Sequence, residues 1–170
     1  MDATPLGDAF DALLDAAATV AQLAPLSPGP PPGEWNADQI LAHVSLVTAA
    51  TITATSCVAW KGNTTYDNRL ALDSWTIDRV VALAGSSAGV RERVRRHGDA
   101  LCALAGPTLN EAELDTLVPT LLLSNDTVLV DQPLQLREIL TGLAEVELPG
   151  HTKQLLALLP DAASAGVAGA

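Results

Sequence analysis

The sequence predicts a mainly α fold: a bundle of four or so main helices, with a short β-hairpin before the last long helix. Three observations predict it. Alanine and leucine dominate a chain of 170 residues that is 48% hydrophobic, and β-branched runs are few, which favours helix. Apolar residues recur at three- and four-residue spacing along most of the length. Only between residues 118 and 133 does the pattern change, to two short β-rich runs around Ser-Asn-Asp. Aromatic residues are 3% of the chain, so the core must be built from leucine, valine and alanine.

The first helix is predicted over residues 6–23, where Phe10, Leu13, Leu14, Ala17, Val20 and Leu23 share a face. SPGPPPG (27–33) then stiffens the chain into an extended crossover, because each proline fixes φ. Asn36, with Gln39 three residues on, carries the capping-box pattern and opens a helix running to about residue 60. Ile40, His43, Val44, Val47, Thr51, Ala54 and Val58 fall on its inner stripe, so His43 is expected to face the interior.

KGNTTYDNR (61–69) reads as a polar connection. A third helix is predicted from about Asp73, with Trp75, Val80, Val81 and Leu83 apolar. Gly85, Ser86 and Ser87 interrupt it, and a further helix runs over 88–104 until Gly106–Pro107 stops it. NEAEL (110–114) fits one capped turn, and helical spacing returns over 134–159. Residues 1–160 are read as a single domain, and the small-residue stretch 161–170 as a disordered tail.

A net charge of −11 leaves no electrostatic footprint for nucleic acid and repels an anionic membrane. The one basic cluster, RERVRR (91–96), reads as a solvated helix face. Cys57 and Cys102 match no metal or redox pairing and sit in apolar helical stretches, which fits reduced thiols and a cytoplasmic setting. The acidic start is unlike a signal peptide, and no run approaches the ~18 consecutive apolar residues of a membrane span.

The chemistry is concentrated in EVELPGH (145–151). Glu147 and His151 are four apart and continue the stripe of Leu136, Leu140 and Leu143. Residues so spaced stand about 5–6 Å apart at Cβ on one helix face, so the pair can meet one ion. His43 is the histidine placed to supply a third ligand from a neighbouring helix. Two imidazoles and a carboxylate suit Zn²⁺ with an open fourth position, and also Fe²⁺ or Ni²⁺. The plainer reading also stands: a core histidine, with a carboxylate neutralised by an arginine. Pro149 complicates the pair, since its ring clashes with the Glu145 carbonyl in a regular helix. Either the helix kinks there, or a new helix starts with Pro149 in its first turn.

Two segments carry a family likeness. GEWNADQILAHVSLV (33–47) resembles the segment of the DinB/YfiT-like helical bundles in which a tryptophan precedes a helical histidine. VPTLLLSNDTVLVDQPLQLREILTGLAEVELPGH (118–151) is similar to the later part of the N-terminal domain of mycothiol-dependent maleylpyruvate isomerases. The resemblance spans roughly residues 9–159. It implies a four-helix DinB-like bundle holding a divalent metal, usually zinc, on a histidine of the second helix and a glutamate and a histidine four apart on the last. Those positions match His43, Glu147 and His151. The chain departs from the pattern at Pro149–Gly150 and in lacking an aspartate after His151, and it ends soon after the last helix. The maleylpyruvate reaction is therefore not carried over.

Two functions follow as expectations. The first is a metal-dependent enzyme using a low-molecular-weight thiol such as mycothiol, for S-transfer or isomerisation of a small molecule. Tyr66, Asp67, Asn68 and Arg69 would line the mouth, with Tyr66 and Arg69 touching substrate; a surface salt bridge is the alternative for Arg69. The second is a non-catalytic module or homodimer with a structural or vestigial metal site. Trp35, Trp60 and Trp75 are its candidate anchors, and core or helix-end packing is the alternative for each. There is no G-x-S-x-G elbow, GSSAG (85–89) lacks a phosphate-loop lysine, and His97 is assigned to the surface.

Overall fold

The structure is a computed structural model, and it describes residues 1–23, 30–124 and 127–159. The expected extended crossover is therefore described only from residue 30, and the expected tail lies outside the described residues. The fold is mainly helical with a small three-stranded sheet. Its elements are α1 (Thr4–Leu23), α2 (Ala37–Ala59), β1 (Tyr66–Asp67), α3 (Arg69–Leu72), α4 (Ser74–Ala84), α5 (Ser87–Ala105), α6 (Glu111–Leu114), β2 (Leu117–Ser124), β3 (Thr127–Gln135), α7 (Leu136–Gly142), a π turn (Leu143–Glu147) and α8 (Leu148–Leu156).

The helices begin where short polar side chains can satisfy free amides. Asn36 accepts from the Gln39 amide while the Gln39 side chain accepts from the Asn36 amide, closing the expected capping box of α2. Asn110 and Glu113 build the same box on α6. Asp73 caps α4 and Ser86 caps α5. Gly85 ends α4 at φ +74, a left-handed conformation that favours glycine.

α2 is the central helix. Every residue of its expected stripe is buried, His43 included at 2% exposure. It packs against α5, α4 and α3, and touches α7 and α8; α1 packs against α8 and α5. Leu6, Phe10, Leu13, Ala17 and Val20 of α1 close the same core. In length and mean hydropathy, 1.5, α2 does match a membrane span, but 61% of that window is buried inside the fold. On α4 the buried face is Ile77 and Val80, whereas Trp75 and Leu83 are exposed.

The hairpin forms as expected, β2 antiparallel to β3, and the sheet gains a strand that the sequence did not signal. β1 pairs parallel with β2, Tyr66 opposite Thr120. Asn68 extends that pairing with its side chain, donating to the Leu123 carbonyl and accepting from the Leu123 amide, both at 2.9 Å. The β2–β3 register shifts at this point, between Leu122 and Leu123.

Pro149 is accommodated just before it arrives. Over Leu143–Glu147 the helix widens to a π turn, and the Leu148 amide reaches back to the Leu143 carbonyl. α8 then starts at Leu148 with Pro149 in its first turn, where a missing N–H costs least. Of the two expectations for Pro149, this is nearer the second.

Candidate metal centre

Three side chains from the two ends of the chain meet beside α2. His43 projects from the inner face of α2, Glu147 from the last residue of the π turn, and His151 from the second turn of α8. One carboxylate oxygen, Oε1 of Glu147, lies 3.2 Å from His43 Nε2 and 3.3 Å from His151 Nε2. The ligand atoms of all three lie within 4.8 Å of one another. The His43 and His151 rings meet edge to face, with centroids 4.7 Å apart.

The outward ring nitrogens fix what the inward ones present. His43 Nδ1 is 2.7 Å from the Ala71 carbonyl, which only accepts, so Nδ1 carries the proton. His151 Nδ1 is 2.9 Å from Gln154 Oε1 and likewise donates. In the neutral rings both Nε2 atoms then offer lone pairs, aimed at a carboxylate that is also acceptor-only. Two further protons would resolve this only by putting two imidazolium charges side by side. One divalent cation satisfies all three groups. Ligands about 2.0–2.1 Å from a tetrahedral ion stand about 3.3 Å apart, which the two Glu147 distances match. The group can therefore hold a metal ion, and an outer partner orients each imidazole as ligating histidines require.

Electrostatics agree with the geometry. In the metal-free site, an Nε2 that takes up a proton can donate to the carboxylate, and such contacts with His151 and then His43 hold the Glu147 carboxyl well below its usual range, against the opposing effect of burial. Burial alone would lower the pKa of His151, but Glu147 and Gln154 outweigh it and the net shift is upward.

The centre opens onto a cavity of about 750 Å³. Trp35, Tyr66 and Asn68 line it, and the hairpin supplies much of its apolar wall. Trp35 lies against His43, with ring centroids 4.9 Å apart. The exposures of the three ligands fall in the order His43 3%, His151 16%, Glu147 38%, so the carboxylate faces the opening.

Several expectations need correction. Arg69 does not line the cavity: its guanidinium pairs with Asp67 on an exposed surface, which is the surface-salt-bridge alternative. Tyr66 does line it, yet it is 5% exposed and its hydroxyl bonds Thr51 Oγ1 at 3.1 Å. His97 is not on a polar surface; it is half-buried, with Nδ1 2.9 Å from the Ser45 carbonyl. Arg93 of the basic cluster reaches Ser45 Oγ at 3.1 Å, whereas Arg95 and Arg96 pair with Glu92 at the surface. Trp60 and Trp75 are 86% and 67% exposed, so neither packs in the core. Ala71 and Gln154, the orienting partners, went unnoticed in the sequence. Gln154 was findable as the residue three after His151; Ala71 acts through its backbone and leaves no side-chain signal.

No family model, curated protein or solved structure matches this chain.

Proposed function

We propose that this chain is a divalent-metal-dependent enzyme of the DinB/YfiT-like kind, with zinc held by His43, Glu147 and His151 and a low-molecular-weight thiol such as mycothiol as its cofactor. The observation that carries the reading is the convergence of two Nε2 lone pairs and one carboxylate oxygen, with both Nδ1 protons already committed to Ala71 and Gln154. Three nitrogen and oxygen ligands beside a cavity are the donor set of an open zinc site. α1, α2, α5 and the last helix, α7 through α8, are the four members of the proposed bundle.

When bound, such a metal lowers the pKa of a coordinated thiol and so supplies a thiolate at neutral pH. The chain's own residues do the rest. Trp35 and Tyr66 wall the mouth beside the ligands and keep bulk water from the inner face of His43. Glu147, the most exposed of the three, would hold the metal from the side that opens onto the cavity. S-transfer or isomerisation of a small molecule is the reaction class. The unpaired thiols of Cys57 and Cys102 support a cytoplasmic setting.

The test is metal content by plasma mass spectrometry on protein purified without a histidine tag, alongside Glu147→Ala and His43→Ala. Near-stoichiometric zinc in the wild type, lost in both variants, is expected. No metal in the wild type after zinc is added back would remove the three-ligand reading.

A second reading, a non-catalytic module that pairs with another copy, draws on exposed Trp60, Leu70, Trp75 and Leu83. Sedimentation of the wild type against Trp60→Ser and Trp75→Ser distinguishes it: a dimer lost in these variants favours assembly, a monomer throughout favours the enzyme.

A further inference from the structure

From the wall of the cavity we infer that the site takes an uncharged or cationic small molecule with an aliphatic body, and rejects one whose body carries a carboxylate. The inference rests on the metal reading only for the position of the ligand's head; the preference of the wall is separate from it.

Much of the lining beside the three ligands is hydrocarbon. Leu122, Leu123, Leu129 and Leu134 come from the hairpin, and Ile139 and Val146 from the last helix. Leu129 and Val146 are 64% and 70% exposed, so the apolar surface continues out to the rim. Solvent-facing leucine and valine at the edge of a cavity are costly to leave wet and favour an occupant that covers them.

Outside the three ligands, the charges on the lining have one sign. Apart from Glu147, the ionised groups are Glu34 and Glu138, and no lysine or arginine lines the cavity among the described residues. Glu138 is fixed in place, accepting from the Gln135 amide at 2.8 Å. Arg69, the nearest candidate by sequence, is held by Asp67 outside the wall. A carboxylate on the ligand's body would lose its water, gain no cationic partner, and face two glutamates. An ammonium there would meet those glutamates favourably. The volume, about 750 Å³, suits a molecule of ordinary metabolite size.

Three thiols of one length separate the possibilities: 1-hexanethiol, 6-aminohexane-1-thiol and 6-mercaptohexanoate. Each is titrated into the full chain, zinc-loaded and metal-free. Calorimetry reads affinity, and leucine and isoleucine methyl resonances read the wall. In both forms hexanethiol and the amine should move the methyls of Leu122, Leu129 and Ile139 saturably. The carboxylate should bind at least about tenfold more weakly. Leu129→Lys, at an exposed rim position that a lysine tolerates, should bring the carboxylate to within about threefold of hexanethiol by supplying the missing partner charge.

The inference is overturned if 6-mercaptohexanoate binds as tightly as hexanethiol, or if none of the three moves the wall methyls. The metal-free arm keeps the two readings apart. A chain that takes up no zinc yet ranks the thiols in this order has lost the metal and kept the wall. A chain that loads zinc and prefers the carboxylate has done the reverse.

Discussion

His151 donates its Nδ1 proton to Gln154 Oε1 across 2.9 Å, one helical step along α8. That bond aims Nε2 back at Glu147. His43 is aimed in the same way, but by the backbone carbonyl of Ala71, which no substitution removes. Gln154 is therefore the one orienting group open to mutation. Gln154→Ala should weaken zinc binding about 10- to 100-fold in a competitive chelator titration and leave the helical circular dichroism intact. Unchanged affinity would mean that packing alone orients the ring.

In the metal-free protein, the stability contributed by the Glu147–His151 pair should be greatest in mildly acidic solution. Glu147 titrates below its ordinary value of 4.5, so its contribution is present above that pH and is lost as pH falls. His151 titrates above its ordinary 6.5, so its contribution is complete below that pH and is lost as pH rises through the shifted value. The window lies between 4.5 and 6.5. Zinc should move the maximum to higher pH, because ligation needs the neutral ring. Melting temperatures across this range, for wild type and Glu147→Gln, provide the check. The variant should have a shallower acid limb, Asp67 and Asp73 supplying the remainder because they too titrate below their ordinary values, and an identical limb in both proteins would detach it from Glu147.

Tyr66 is the sole tyrosine, so its ionisation can be followed by ultraviolet absorbance without interference from another phenol. Burial pushes its pKa up to about 12, only partly countered by the Thr51 hydroxyl and reinforced by the Glu147 charge. The tyrosinate band should appear with a midpoint near 12 in the folded chain, and near 10 once the chain is unfolded. Folding loses stability as pH rises between those values, since the unfolded phenol ionises first. A midpoint at the ordinary value in the folded protein would place the ring in water and open that side of the cavity.

Gly98 of α5 packs closely against the Phe10 ring of α1. A Cβ at Gly98 would stand 2.9 Å from the Phe10 ring, which is 3% exposed. Alanine gains about 1 kcal/mol of helix propensity over glycine, but forcing the ring aside costs about 1–3 kcal/mol. Gly98→Ala should be net destabilising in urea titrations, and Phe10→Leu should relieve much of that cost. A stabilised Gly98→Ala would show that α1 shifts freely against α5.

What was legible in the sequence was what repeats or caps. The stripe from Ile40 to Val58 located the buried face of α2, and His43 with it, because burial follows the 3.6-residue period. The pairs Asn36–Gln39 and Asn110–Glu113 located two helix starts through local hydrogen bonding. The meeting of His43, Glu147 and His151 followed from spacing together with resemblance. Long-range pairing was not legible. β1 is two residues long, has no alternation to detect, and exists because β2 lies beside it. The exposure of Trp60 and Trp75 ran against their hydrophobicity, and the acceptor for His97 lies on another helix. Arg69 attracted a functional reading as a cation able to pair with a substrate carboxylate, when its partner stood two residues away.

The π turn acts as a phase offset along one helix. Upstream of it, Leu136 and Leu140 are fully buried in the core; Glu147 at its end and His151 beyond it point at the cavity. Each residue of an α-helix advances about 100°, so the extra residue per turn is what lets a single rod address two targets on different bearings. Deleting one residue of the π turn ahead of Glu147, within Leu143–Val146, would restore an even helix, with composition and helical content nearly unchanged. It would also swing the carboxylate and imidazole off their bearing, parting them from His43 while every ligand remained in the sequence.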